Sequence, residues 1–245
     1  PRKSAFSSDV LRQAAQIKTE SKLLSALSGV TGAGWSIPAL LDQSPAFEGL
    51  GESFFIILEE APGFDLMSLS RLARSGSLAE LPSPGNSELD FFLQQIASSG
   101  KLPEPILVRS LLGLIDMLDA IHQVVALDEG VQQYGILWND VKPEHLYWDP
   151  SRAGLTVIDW GNGFFLEKDG TTKDRRHASA DDYLQLVQAM GAFLADASPQ
   201  LHARLDWPEA LTPGGVYAEA VQPLKDRLLS LWSEMSSQLQ GLRNA

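Results

Sequence analysis

"WNDVKPEHLYWD", residues 138–149, sets Asp140, Lys142 and His145 around a proline, between an apolar approach (Gly135-Ile136-Leu137) and an apolar exit (Leu146-Tyr147-Trp148). An acid, a cation and a third polar group on one short loop suggest a phosphate or metal site. The flanking runs "HLYW" (145–148) and "LTVIDW" (155–160) read as short strands joined by the turn "DPSRAG". Asp159 lies 19 positions after Asp140, about what a strand–turn–strand hairpin needs to bring both carboxylates to one cleft.

The bulk properties bound what this loop serves. At 245 residues the chain is large enough for one large domain or two lobes sharing a cleft. A hydrophobic content of 44% with 20% charged residues describes an ordinary soluble globular protein. No apolar run approaches the length of a membrane span, and the first residues, "PRKSAFSSDV", have no secretory h-region. Without an initiator Met, the chain reads as an excised domain. The absence of cysteine excludes disulfides, thiolate metal sites and cysteine catalysis, and fits a cytoplasmic protein. A net charge of −12 argues against nucleic-acid binding, which needs a basic face.

Working outward, residues 7–27 read as a helix, with Ser8 as cap and Leu11, Ala14, Ile17, Leu24 and Leu27 recurring at roughly helical spacing. "IPALLDQ" (37–43) and "SFFIILEE" (53–60) have the pattern of paired strands. Residues 74–100, rich in Ser, Gly and Pro, read as a surface excursion with a short helix over Leu89–Ile96. "EPILVRSLLGLIDMLDAIHQVV" (104–125) is apolar on most sides, which predicts a buried helix. "DDYLQLVQAMGAFLADA" (181–197) and "AVQPLKDRLLSLWSEMSSQL" (220–239) are helical patterns. The expected class is α+β.

"NDVKPEHLYWD" followed by "LTVIDWG" resembles the catalytic loop and metal-binding turn of the protein kinase fold, H-R-D-x-K-x-x-N and then D-F-G. The resemblance runs from about Lys3 to Gly191. It implies a bilobal protein-kinase-like fold, with a small lobe over residues 1–66, truncated at its start, and a mostly helical large lobe over 67–245. Asp140 matches the catalytic Asp, Lys142 the loop Lys and Asp159 the metal-binding Asp, while His145 stands where the metal-binding Asn is expected. "KTESKLLSAL" resembles the small-lobe helix whose Glu, here Glu20, pairs with a strand Lys; Lys3, 17 residues earlier, has the spacing for it. "FFIILEEAPGFDL" resembles the last small-lobe strand entering the hinge. The resemblance then makes Leu58 the gatekeeper, puts the backbone of Glu59 and Ala61 at the adenine edge, and sets Asp65 near the ribose. It also implies that an Asp opening the helix after the short segment braces the catalytic loop, and Asp182 is assigned by its spacing to Leu186. His122, Trp138, Trp148 and Trp160 read as structural.

The implied cofactors are ATP and Mg²⁺ or Mn²⁺, and the implied activity is transfer of the γ-phosphate to a Ser or Thr hydroxyl. Four departures bear on this. Imidazole at position 145 suits softer metals than Mg²⁺ does. Trp138-Asn139 replaces the His-Arg pair, so a phosphorylated activation loop has no Arg partner, and control by such phosphorylation is not expected. Only 22 positions separate Asp159 from Asp181, with no A-P-E sequence between them. No glycine-rich loop precedes Lys3, and "GLGESFF" (49–55), which imitates one, follows the Glu20 helix instead. Two alternatives therefore stand beside the protein-kinase reading. One is a pseudokinase acting as a nucleotide-binding or interaction module. The other is a small-molecule kinase, since "VIDWG" and "ND" resemble the aminoglycoside and choline kinases. Lys142-Pro143-Glu144 favours the protein-kinase branch. The phosphate acceptor is a protein or a small molecule, and the oligomeric state is left open.

Overall fold

The computed structural model describes residues 8–44, 55–78, 87–128, 130–208 and 217–244. Lys3, Gly49 and Gly51 lie outside the described residues. The architecture is mixed α+β. Among the described residues no helix is long and apolar enough to cross a membrane.

Helix α1 (Ser8–Ala26) packs its C-terminal half inward through Leu23 and Leu24, and Leu27 follows in the turn that ends it. Strands β1 (Trp35–Ser36), β2 (Leu40–Gln43) and β3 (Ile56–Leu58) come next. β2 and β3 pair antiparallel, Leu40 opposite Leu58 and Gln43 opposite Ile56, as their apolar runs predict.

Strand β4 (Phe64–Asp65) leads directly into helix α2 (Leu66–Ser75). Two cap signals close α2 at both ends. The Asp65 carboxylate accepts the Ser68 N–H at 2.8 Å, and Gly76, at φ 65°, donates its N–H back to Leu72. Leu66, Leu69, Leu72 and Ala73 then fall on one buried face. Helix α3 (Ser87–Ser99) is longer at both ends than its apolar core of residues predicts.

Helix α4 (Glu104–Ile121) is the centre of the core. Ile106, Leu111, Ile115 and Leu118 are fully enclosed, and so are Val108 and Leu114 on other faces, because the helix is apolar nearly all round. Pro105 sits in its first turn, where a missing N–H costs nothing. The short strands β5 (Ala126–Asp128), β6 (Val131–Gln133) and β7 (Ile136–Leu137) follow. After a 3₁₀ turn over Pro143–His145 come β8 (Leu146–Asp149), β9 (Gly154–Val157) and β10 (Phe164–Phe165).

One four-stranded sheet runs β1-β9-β8-β4, with β1 parallel to β9 and the other pairs antiparallel. It joins residues 35–36 and 64–65 to residues 146–157, so strands from both sides of position 66 share hydrogen bonds. Gly63, at φ 85°, makes the approach of β4 to β8 possible, since a Cβ there would run into the Trp148 carbonyl. The β8–β9 turn is tied by Asp149, whose carboxylate takes the Ser151 N–H at 2.9 Å and Arg152 Nε at 2.6 Å. Arg152 continues to Ser36 Oγ and Thr156 Oγ1, stitching β1 to β9.

The helical remainder consists of α5 (Ala180–Gln185), α6 (Gly191–Ala197), α7 (Pro199–Arg204) and α8 (Gln222–Asn244). The pattern over 181–197 is interrupted by a π turn at Leu186–Met190. The Trp207 indole donates to the Val187 carbonyl at 2.9 Å and lies against Gly191, whose own N–H also reaches that carbonyl. α8 packs on α4, and Asp119 on α4 collects Tyr183 Oη at 2.7 Å, Tyr217 Oη at 3.0 Å and Lys225 Nζ at 2.8 Å.

Candidate functional site

The loop between β7 and β8 carries Asp140, Lys142 and His145, and Asp159 lies two residues past the end of β9. The β8–β9 hairpin returns the chain so that ligand atoms of Asp140, His145 and Asp159 lie within 4.8 Å of one another. Lys142 Nζ sits 3.0 Å from Asp140 Oδ1. His145 Nδ1 lies 3.2 Å from the Asp140 carbonyl oxygen, and its Nε2 lies 3.3 Å from Asp159 Oδ2. The four polar residues assigned from the sequence motif therefore form one cluster.

The backbone beneath the cluster is held in an uncommon conformation. Asn139 has φ 58° and Asp159 has φ 61°, both in the left-handed region that residues with a Cβ seldom enter. Each such residue costs about 1–3 kcal/mol and persists only where its surroundings over-determine it. Here they do. The fully buried Asp182 carboxylate accepts the N–H of Trp138 at 3.0 Å and of Asn139 at 2.7 Å, and it bonds His122 Nε2 at 2.8 Å. This is the bracing assigned to Asp182 from the sequence, with His122 as its structural partner. The Trp138 indole donates to the Asp159 carbonyl at 2.9 Å, and Trp138 and Trp160 pack at 5.8 Å under the loop.

Glu20 projects from α1 to the turn after β9, where its carboxylate accepts the Trp160 N–H at 3.2 Å. Burial pushes the Glu20 carboxyl above the usual carboxylate range; the Trp160 hydrogen bond opposes this and the Asp159 charge adds to it. Its proposed partner Lys3 lies outside the described residues. In the segment that the resemblance makes a hinge, the Glu59 N–H donates to the Ala39 carbonyl at 2.8 Å. Ala61 lies between β3 and β4, in the stretch leading to Gly63. Asp65, assigned to a ribose, spends one carboxylate oxygen on the α2 cap.

Three amide side chains join the site without any sequence signal. Asn162 Nδ2 donates to Asp140 Oδ2 at 3.0 Å, and Asn162 Oδ1 accepts from Gln16 of α1 at 2.9 Å. Gln185 Nε2 donates to Asn139 Oδ1 at 2.8 Å, while its Oε1 accepts the Val141 N–H at 3.0 Å. The loop is thus tied to α1 on one side and α5 on the other by uncharged groups. A cleft of about 910 Å³ opens beside it, lined by Asn139, Gly161, Asn162, Lys22 and Lys173 among others.

The donor chemistry fits a divalent cation: two carboxylates and one imidazole converge. No protein-family model matches the chain, and no curated protein matches it.

Proposed function

We propose that the chain is a divergent protein-kinase-like phosphotransferase, bilobal in the manner of that fold, that uses ATP and a divalent metal to phosphorylate a Ser or Thr hydroxyl. The observation that carries this reading is the convergence of Asp140, Lys142, His145 and Asp159 at the open end of the β8–β9 hairpin. A divalent ion bound there would supply positive charge to the β- and γ-phosphates. Asp159 and His145 would hold it.

The remaining work falls to the protein's own side chains. Asp140 would orient the acceptor hydroxyl and take its proton as the bond to phosphorus forms. Lys142, 3.0 Å from Asp140, would neutralise charge on the moving phosphoryl group. Glu20 links α1 to the backbone beside Asp159, so a shift of α1 would reach the metal-binding turn. Asn139 stands where the protein-kinase pattern has its Arg, and the Gln185 amide holds it, which supports a loop that assembles without activation-loop phosphorylation.

A nucleotide-binding module without turnover is the second reading. It is favoured by the engagement of both Asp140 carboxylate oxygens, one by Lys142 and one by Asn162. Incubation with γ-labelled ATP, a divalent metal and generic protein and hydroxyl acceptors separates the two. Label transfer, or slow ATP hydrolysis, that disappears in Asp140→Ala supports the enzyme. ATP binding with neither transfer nor hydrolysis supports the module.

A further inference from the structure

We infer that His145 makes this centre selective for a first-row transition-metal dication such as Mn²⁺ over Mg²⁺, bound through His145 Nε2 and Asp159 even without nucleotide. The inference rests on the metal–nucleotide reading of the site and names the ion that reading leaves open.

The orientation of His145 carries it. The residue is buried, with 8% of its surface exposed, so its ring cannot turn to water for partners. Nδ1 lies 3.2 Å from a backbone carbonyl oxygen, that of Asp140, and 3.5 Å from the Asp140 carboxylate. Both of these groups only accept, so they hold the Nδ1 edge of the ring. The opposite edge brings Nε2 to 3.3 Å from Asp159 Oδ2. A ring nitrogen and a carboxylate oxygen at that separation can share one bound cation. A ring whose far nitrogen is fixed by a carbonyl or carboxylate, with the near nitrogen beside a second carboxylate, is the arrangement of a metal-ligating histidine and its outer partner.

The donor type then selects the ion. Mg²⁺ demands oxygen ligands in near-octahedral array and gives up water reluctantly. Imidazole nitrogen suits the first-row transition dications, and Mn²⁺ is the weakest binder of that series and the member most like Mg²⁺ in its use of oxygen ligands, so it sets the most stringent comparison. Asp140 is already engaged by Lys142 and Asn162, so it acts on the metal through His145 and need not be a direct ligand. The acid that would handle the acceptor proton is thereby coupled to the metal ligand through one ring.

The test uses the full chain and metal alone. Electron paramagnetic resonance follows loss of the free Mn²⁺ signal on titration with protein, with Mg²⁺ added as competitor. The expected result is Mn²⁺ binding at least about tenfold tighter than Mg²⁺. His145→Asn should lower Mn²⁺ affinity by about tenfold or more and narrow the Mn²⁺/Mg²⁺ ratio, losses of the order seen when metal-site groups are removed. Asp159→Asn removes a half-exposed ligand and should weaken both ions with the fold intact, while Asp206→Asn, remote from the site, should change nothing. Should His145→Asn fail to fold, the wild-type ratio and Asp159→Asn still decide. Mg²⁺ displacing Mn²⁺ at equal concentration, or unaltered Mn²⁺ affinity in either site variant, would overturn the inference. Mn²⁺ binding with no thermal response to ATP would count for the metal assignment and against the phosphotransfer reading.

Discussion

The Asp182 carboxylate, fully buried, takes the amide hydrogen of Asn139 at 2.7 Å and so fixes the left-handed backbone on which Asp140 stands. It also serves the Trp138 N–H and the His122 ring. Asp182→Ala leaves two backbone donors without an acceptor and lets Asn139 relax. The expected loss of stability is about 3–5 kcal/mol, the usual cost of removing one member of a buried charged network. Urea unfolding measures it, and a loss below about 1 kcal/mol would show that the loop holds its shape by other means.

Asp182 also shows which parts of the site a linear sequence reveals. Asp140, Lys142 and Asp159 are legible because a loop and a hairpin fix their separation along the chain, and Asp182 because it opens a helix pattern. The β8–β9 and β2–β3 pairs are legible for the same local reason, apolar runs bounded by turn residues. Asn162, Gln16 and Gln185 are not, since a hydrogen bond between side chains 146 positions apart obeys no spacing rule. Strands of two residues, such as β1, β7 and β10, are too short to show alternation and exist only through their partners. Helix α2 had a readable signature, Asp65 before it and Gly76 after it, but Asp65 drew a ligand-binding reading first.

Asp140→Asn keeps the shape of the loop and removes the group proposed to accept the hydroxyl proton. The rate of phosphoryl transfer should fall by about 10²–10⁴-fold, the range of a lost general base, with ATP affinity nearly unchanged. Steady-state kinetics beside a direct binding measurement checks this. An equal loss in both would make Asp140 a binding residue.

Glu20 supplies a pH prediction. Its carboxyl is pushed up from the ordinary value of 4.5, first by burial. Ionising it therefore costs the folded protein stability, and the cost grows as pH rises from the ordinary carboxylate value through the raised one. Glu20→Gln keeps an oxygen for the Trp160 N–H and removes the charge beside Asp159. The variant should melt above wild type at pH 7, with the gap closing as the pH falls below the ordinary carboxylate value. A variant that melts below wild type at pH 7 would instead reveal a cation paired with Glu20.

Asp119 tests the helical half without touching the site. Asp119→Ala strands the hydroxyls of Tyr183 and Tyr217 and leaves Lys225 with Asp116 alone among the acids shown to hold it. The expected destabilisation is about 2–4 kcal/mol, from the loss of hydrogen bonds to a charged acceptor. Metal binding at the site should survive in conditions where the variant is folded. A loss of metal affinity with the fold intact would tie the two halves more closely than these contacts do.

The most direct test of the central claim is a thermal-shift titration with ATP plus Mn²⁺ or Mg²⁺, run on wild type and on Asp159→Asn. A ligand that binds the folded state alone stabilises it by about 2.7 kcal/mol at roughly a hundredfold excess over Kd. A metal-dependent rise in melting temperature with ATP, abolished in Asp159→Asn, is the predicted result. No rise with ATP and either metal, or a rise that Asp159→Asn leaves unchanged, would contradict it.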